Sequence, residues 1–286
     1  MSVMGLSKRG GRGRHSAKRS SPLVTFPALV AHTARLQARG VFIWGAALGL
    51  YSAAIVASFT TFSGSAEQMN QLLEAYPEGM LEAFGITDLA EVENYMTSQV
   101  FVLAPLALAF FTILASAGTI AGAEERGTID VLLGNPIPRW QLVVGSFVAT
   151  AFSLLAILVL MGALTWITAV LMDVGLSLAS TAAAVANMWP LCLLFGAAAM
   201  LCSAFFHRRA LAIAVPAFFL FAMYLLDTLG RVSEDLEDLR PISAFYYYGS
   251  AIEDGIDWPS FGGLTVIACV LVLLAVLVFR WRDIYT

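Results

Sequence analysis

The residues best suited to directed work sit in one polar interruption of an apolar chain, AEERGTIDVLLGNPIPRW at residues 123–140. Thr128 follows Gly127 and can cap a short helix. Ile129, Leu132 and Leu133 recur at i, i+3 and i+4, so they share one helical face. Gly134 ends that helix, and Pro136 and Pro138 stop it from resuming. Glu124, Glu125 and Arg126 precede the apolar stripe, and Arg139 follows it. This is the chemistry of docking, not of bond making. An exposed apolar stripe framed by charges gains free energy by entering a partner's groove. The competing outcome is a tight loop that folds its leucines back onto the protein.

Groups that make or break bonds are scarce elsewhere. No Asp, Glu, Lys, Arg or His lies deep in the long apolar runs. Ion-coupled carriers place ionisable groups there, and an intramembrane protease needs a base or paired carboxylates. Both classes are therefore disfavoured. Ser146, Ser153 and Thr165 fit interhelical hydrogen bonding better than nucleophilic attack. Cys192, Cys202 and Cys269 form no CxxC pair, which argues against a disulfide frame or a zinc site. Met161, Met188, Met200 and Met223 offer soft sulfur, but no two of these methionines are close in sequence, which argues against copper handling. No G-x-x-x-x-G-K-(S/T) phosphate loop occurs, so ATP binding by that route is not expected, and no cofactor is expected on this chain.

The elements that would position the loop are membrane spans. Of the 286 residues, 59% are hydrophobic and only 13% charged, about half the charge of a soluble domain. A hydrocarbon core ~30 Å thick needs about 20 apolar residues per helix. The runs predict an all-α integral membrane protein with six spans, near 41–62, 97–122, 141–171, 184–206, 210–227 and 260–280. With spans alternating in direction, every Lys and Arg except Arg231 and Arg240 falls on the side shared by both termini. Of the acids, only Glu124, Glu125, Asp130 and Asp283 join them. The positive-inside rule puts that side in the cytoplasm.

Residues 1–21 read as a basic disordered tail that could touch anionic headgroups. Residues 22–286 read as a single membrane domain. Within it, 22–39 carries Phe26, Leu29, Val30, Thr33 and Leu36 on one helical face and His32, Arg35 and Arg39 on another, which predicts an N-terminal amphipathic helix lying in the interface, with a plain extension of the first span as the alternative. Residues 63–93 form an acidic loop, and Asp227–Trp258 a second one that carries Tyr246, Tyr247 and Tyr248 as interfacial aromatics. On span five, Phe218, Phe219, Phe221, Met223 and Tyr224 are candidate lining for an apolar substrate path, or simply packing residues.

The loop GAEERGTIDVLLGNPIPR resembles the segment between the second and third helices of type-2 ABC-transporter permeases, the six-helix subunits of bacterial and archaeal exporters. Gly122, Glu125, Gly127, Thr128, Ile129, Leu132, Leu133, Pro136, Ile137 and Arg139 match the family pattern, while Ala123 stands where an acid is usual. The ending FRWRDI at 279–284 and the aromatic SAFYYYG stretch are similar to their counterparts there. The resemblance implies a cytoplasmic coupling helix at the loop. It also implies two copies of an ABC ATPase subunit that carry ATP and Mg, and a second permease subunit, identical or merely similar, across a shared path. It points to export of a hydrophobic or amphipathic, drug- or lipid-like substrate from the cytoplasm. No nucleic-acid partner is expected. The alternative is a non-transporting membrane scaffold or sensor whose acidic loops bind a partner.

Overall fold

The computed structural model describes residues 22–63, 92–127, 138–249, 251–252 and 255–282. Among these, every regular element is helical. Helix α1 is Pro22–Ser63. Helix α2 (Val92–Met96) passes through a π-helical turn, Thr97–Phe101, towards α3 (Ala104–Ala117). A turn at 118–120 leads to α4 (Ala121–Glu125). Then come α5 (Arg139–Leu171), α6 (Leu178–Phe205), α7 (Arg209–Val232), the single turn α8 (Glu234–Glu237), a 3-10 turn at Arg240–Ile242, and α9 (Trp258–Trp281). Six helical stretches among the described residues are long and apolar enough to cross a membrane: Phe26–Thr60, Val92–Ala117, Arg139–Leu171, Leu178–Phe205, Arg209–Val232 and Trp258–Trp281.

Helix α6 is the most buried span. It packs against α3, α5, α7 and α9, while α1 lies along α5. Lipid tails are as apolar as leucine, so helices in a bilayer associate through close packing and hydrogen bonds. Both devices are visible. Gly45 and Gly49, one turn apart on α1, face Leu160 and Leu164 of α5 so closely that a Cβ at either would collide with a leucine side chain. Ser52 and Thr165 share a hydrogen bond of 2.7 Å across the same interface, and Gln37 donates to Thr150 at 3.1 Å. Gly196 of α6 admits Thr112 of α3, whose hydroxyl donates to the Cys192 carbonyl at 2.7 Å. Each such bond contributes roughly 0.6 kcal/mol in a membrane.

Two expectations change. The separate N-terminal interfacial helix is not a distinct element, because residues 22–39 are the first turns of α1. Gly40 alone is too weak a breaker to interrupt a helix with apolar neighbours to pack on. Phe26 stacks on Trp140 at 6.1 Å between centroids, and Leu29 fills the space above Gly145. A helix of 42 residues is about 63 Å long, twice the hydrocarbon thickness, so part of α1 projects beyond it. The fifth span also continues past residue 227 to Val232 and carries Asp227 and Arg231 inside the helix. The charges are tolerated because they pair with each other near the helix end.

Candidate functional site

Residues 128–137, and with them Thr128, Ile129, Leu132, Leu133 and Pro136, lie outside the described residues. The structure does describe what holds the two ends of that loop. On the leading side, α3 ends at Ala117 and the chain turns into α4. Ser203 of α6 stabilises the turn: its hydroxyl accepts from the amides of Ala121 at 2.9 Å and Ile120 at 3.3 Å, and donates to the Ala117 carbonyl at 3.2 Å. Helix α4 carries Glu124 inward, where Arg282 pairs with it at 2.6 Å. Only 9% of the arginine side chain and 16% of the glutamate side chain are exposed. His207 lies 3.9 Å from the other carboxylate oxygen. Glu125, Arg126 and Gly127 are exposed, and Gly127 takes a left-handed φ of +65° that suits glycine.

Three arginines here reach three helix C-termini. Arg126 donates to the Gly118 carbonyl beyond α3 at 3.4 Å. Arg282 donates to the carbonyls of Ser203, Ala204 and Phe206 at the end of α6, the shortest at 2.9 Å. Arg139, at the trailing edge of the loop, donates to the carbonyls of Phe279 and Arg282 at the end of α9, at 3.2 and 2.8 Å. Its guanidinium also stands 5.5 Å over the Phe279 ring. The last carbonyls of a helix have no partners within it and carry about half a negative charge. Guanidinium groups satisfy both needs. The outcome is mechanical: each flank of the loop is tied to the ends of other spans of the bundle.

The inward turn of Glu124 gives it an internal partner, which leaves Glu125 and Arg126 as the exposed charges before the apolar stripe. Phe218, Phe219 and Phe221 point away from the bundle and are half or more exposed. Met223 and Tyr224 turn towards the core, and Tyr224 packs edge-on against Phe245 at 5.5 Å. The five therefore do not meet in one cavity of this chain. A cleft of about 550 Å³ opens near the loop end between α1, α3 and α5, with Leu29, His32, Gln37, Arg126 and Ser146 in its walls. That volume lies in the range of drug-sized sites. Sequence reasoning reached neither Ser203 nor the cleft. Arg282 entered it only as part of a terminal motif.

Residues 28–280 match the family model described as multidrug efflux system permease Rv1217c, C-terminal domain. The chain belongs to this multidrug efflux permease family. A search of curated proteins gave no match. The permease is a multi-pass membrane protein of the transporter class, not a standalone enzyme.

Proposed function

We propose that this permease is the membrane-spanning subunit of an ATP-binding-cassette exporter, and that residues 128–133 form its coupling helix. The observation that carries the reading is the match to an efflux permease family over residues 28–280. The tethering of the loop flanks supports it. Ile129, Leu132 and Leu133 enter a groove of a separate ATPase subunit, while Glu125 and Arg126 contact its rim. ATP and Mg belong to that subunit, of which two copies serve two permeases. Closure of the ATPases pulls on Glu124 and Arg139, and their arginine ties pass the displacement to α6 and α9. The loop end faces the cytoplasm, as the distribution of basic residues supports, and both termini lie there, in the inner membrane of the cell. Residues 22–286 act as one permease domain.

The substrate is hydrophobic or amphipathic. Phe218, Phe219 and Phe221 border a path between the two permeases, where their exposure on α7 is useful, and Met223 and Tyr224 support them from within. Leu132→Asp tests the coupling. Cells making the wild-type complex should accumulate less of a fluorescent amphipathic dye than cells without it, and ATP depletion should abolish the difference. The variant should reach the membrane in normal amount and export nothing. Wild-type export by Leu132→Asp would end the coupling role.

A further inference from the structure

The end of the bundle opposite the loop holds a cavity that coupling leaves unused and that shares only Tyr224 with the proposed substrate path. It encloses about 230 Å³ beside the last turns of α7. Asp227 is its charged centre, with a side chain only 6% exposed. Arg231 clasps one carboxylate oxygen through two N–H groups at 2.8 and 3.1 Å, and Arg240 donates to the other oxygen at 3.3 Å. The arrangement is built rather than incidental. Gly230 gives Arg240 its seat, because a Cβ there would collide with the arginine's side-chain carbons. The Arg240 guanidinium also stands 5.3 Å over the Tyr246 ring, and Phe245 and Tyr248 complete an aromatic wall.

The charge balance decides what such a cavity takes. One carboxylate faces two guanidinium groups, so the cluster carries a net single positive charge. The carboxylate has both oxygens engaged and is covered. The arginines are not covered to the same degree: 36% of the Arg231 side chain and 21% of the Arg240 side chain remain accessible. A cation would have to break the existing pairs, whereas an anion meets free guanidinium donors at no such cost. The volume falls short of the roughly 300 Å³ at which drug-sized sites begin. It suits the head of an amphiphile, with the tail outside. The cavity also lies at the aromatic margin marked by exposed Tyr246, Tyr247 and Trp258, the level at which lipid headgroups sit.

We infer that the Asp227–Arg231–Arg240 cavity binds the singly anionic phosphate head of an amphiphile, and that an anionic phospholipid of the adjoining leaflet occupies it. The site needs no ATPase, so its test is independent of the coupling reading. The full chain, purified in mild detergent, is given equal amounts of phosphatidylglycerol and phosphatidylcholine, and retained lipid is counted by native mass spectrometry. The wild type should keep phosphatidylglycerol in preference to phosphatidylcholine. Arg231→Gln should lower that retention at least about tenfold, the effect of one charge-assisted hydrogen bond. Asp227→Asn, which raises the net charge of the cluster by one, should increase it. Addition of inorganic phosphate should displace the lipid if the head alone is recognised. Equal retention of the two lipids by the wild type would overturn the inference whatever the variants do. So would loss of phosphatidylglycerol in Asp227→Asn while the variant still elutes as a monodisperse, helical protein.

Discussion

The two ends of this permease use arginine in opposite ways. At the loop end, Arg126, Arg139 and Arg282 donate to backbone carbonyls where α3, α6 and α9 terminate. At the far end, Arg231 and Arg240 hold a covered side-chain carboxylate inside a cavity while their own guanidinium groups stay partly accessible. Backbone carbonyls are fixed to the helix axis, so a guanidinium bound to them moves with the helix. A carboxylate buried in a cavity leaves guanidinium edges open to a ligand. The same residue type thus serves as a mechanical tie in one place and as a recognition group in the other. What separates the two roles is the acceptor and the space around it.

Substitutions can sharpen or break that contrast. The largest effect is expected from Arg282→Ala. It strands the largely buried Glu124 carboxylate and frees the carbonyls at the end of α6. Removing one partner of a buried pair costs about 3 kcal/mol, which should appear as a lower melting temperature in detergent together with lost export. An unchanged melting temperature would deny the tie its strength. Gly230→Ala at the far end should act differently. The gain in helix propensity, about 1 kcal/mol, opposes the cost of displacing Arg240, so stability should hardly move while retention of anionic lipid falls severalfold. A large stability loss with lipid retention intact would make the far end a structural tie as well. The smallest effect is expected from Phe218→Ala between the two ends. Phe218 is 68% exposed, so the isolated subunit should change by no more than about 0.5 kcal/mol in thermal unfolding.

The sequence made the spans legible because lipid imposes a simple rule: about 20 apolar residues without charge. The same rule misplaced the end of the fifth span. It treats Asp227 as solvent-bound, whereas the helix continues because Arg231 one turn on, and Arg240 beyond it, neutralise the carboxylate. The continuity of α1 was also hidden. Periodicity separates an amphipathic half from an apolar half, but the packing of Phe26 and Leu29 on α5 makes them one rod. The loop motif could be read as a docking stripe, yet the ties of its flanks could not. Glu124 and Arg282 stand 158 positions apart, and their pairing exists only once α4 and α9 meet. Arginine bonds to helix-end carbonyls leave no residue-type signature, because the acceptor is backbone. Gly45 and Gly49 have the spacing of close helix approach, but their role shows only once α1 meets Leu160 and Leu164 of α5.

The central claim is that a motor outside this polypeptide drives it through residues 128–133. Reconstitution tests it most directly: the purified permease is placed in liposomes loaded with an amphipathic dye, with and without an ABC ATPase subunit, and dye movement is followed on addition of ATP and Mg. Movement that requires the ATPase, and that stops with Leu132→Asp while the two subunits remain otherwise folded, is the predicted result. Equal dye movement by the permease alone would contradict it.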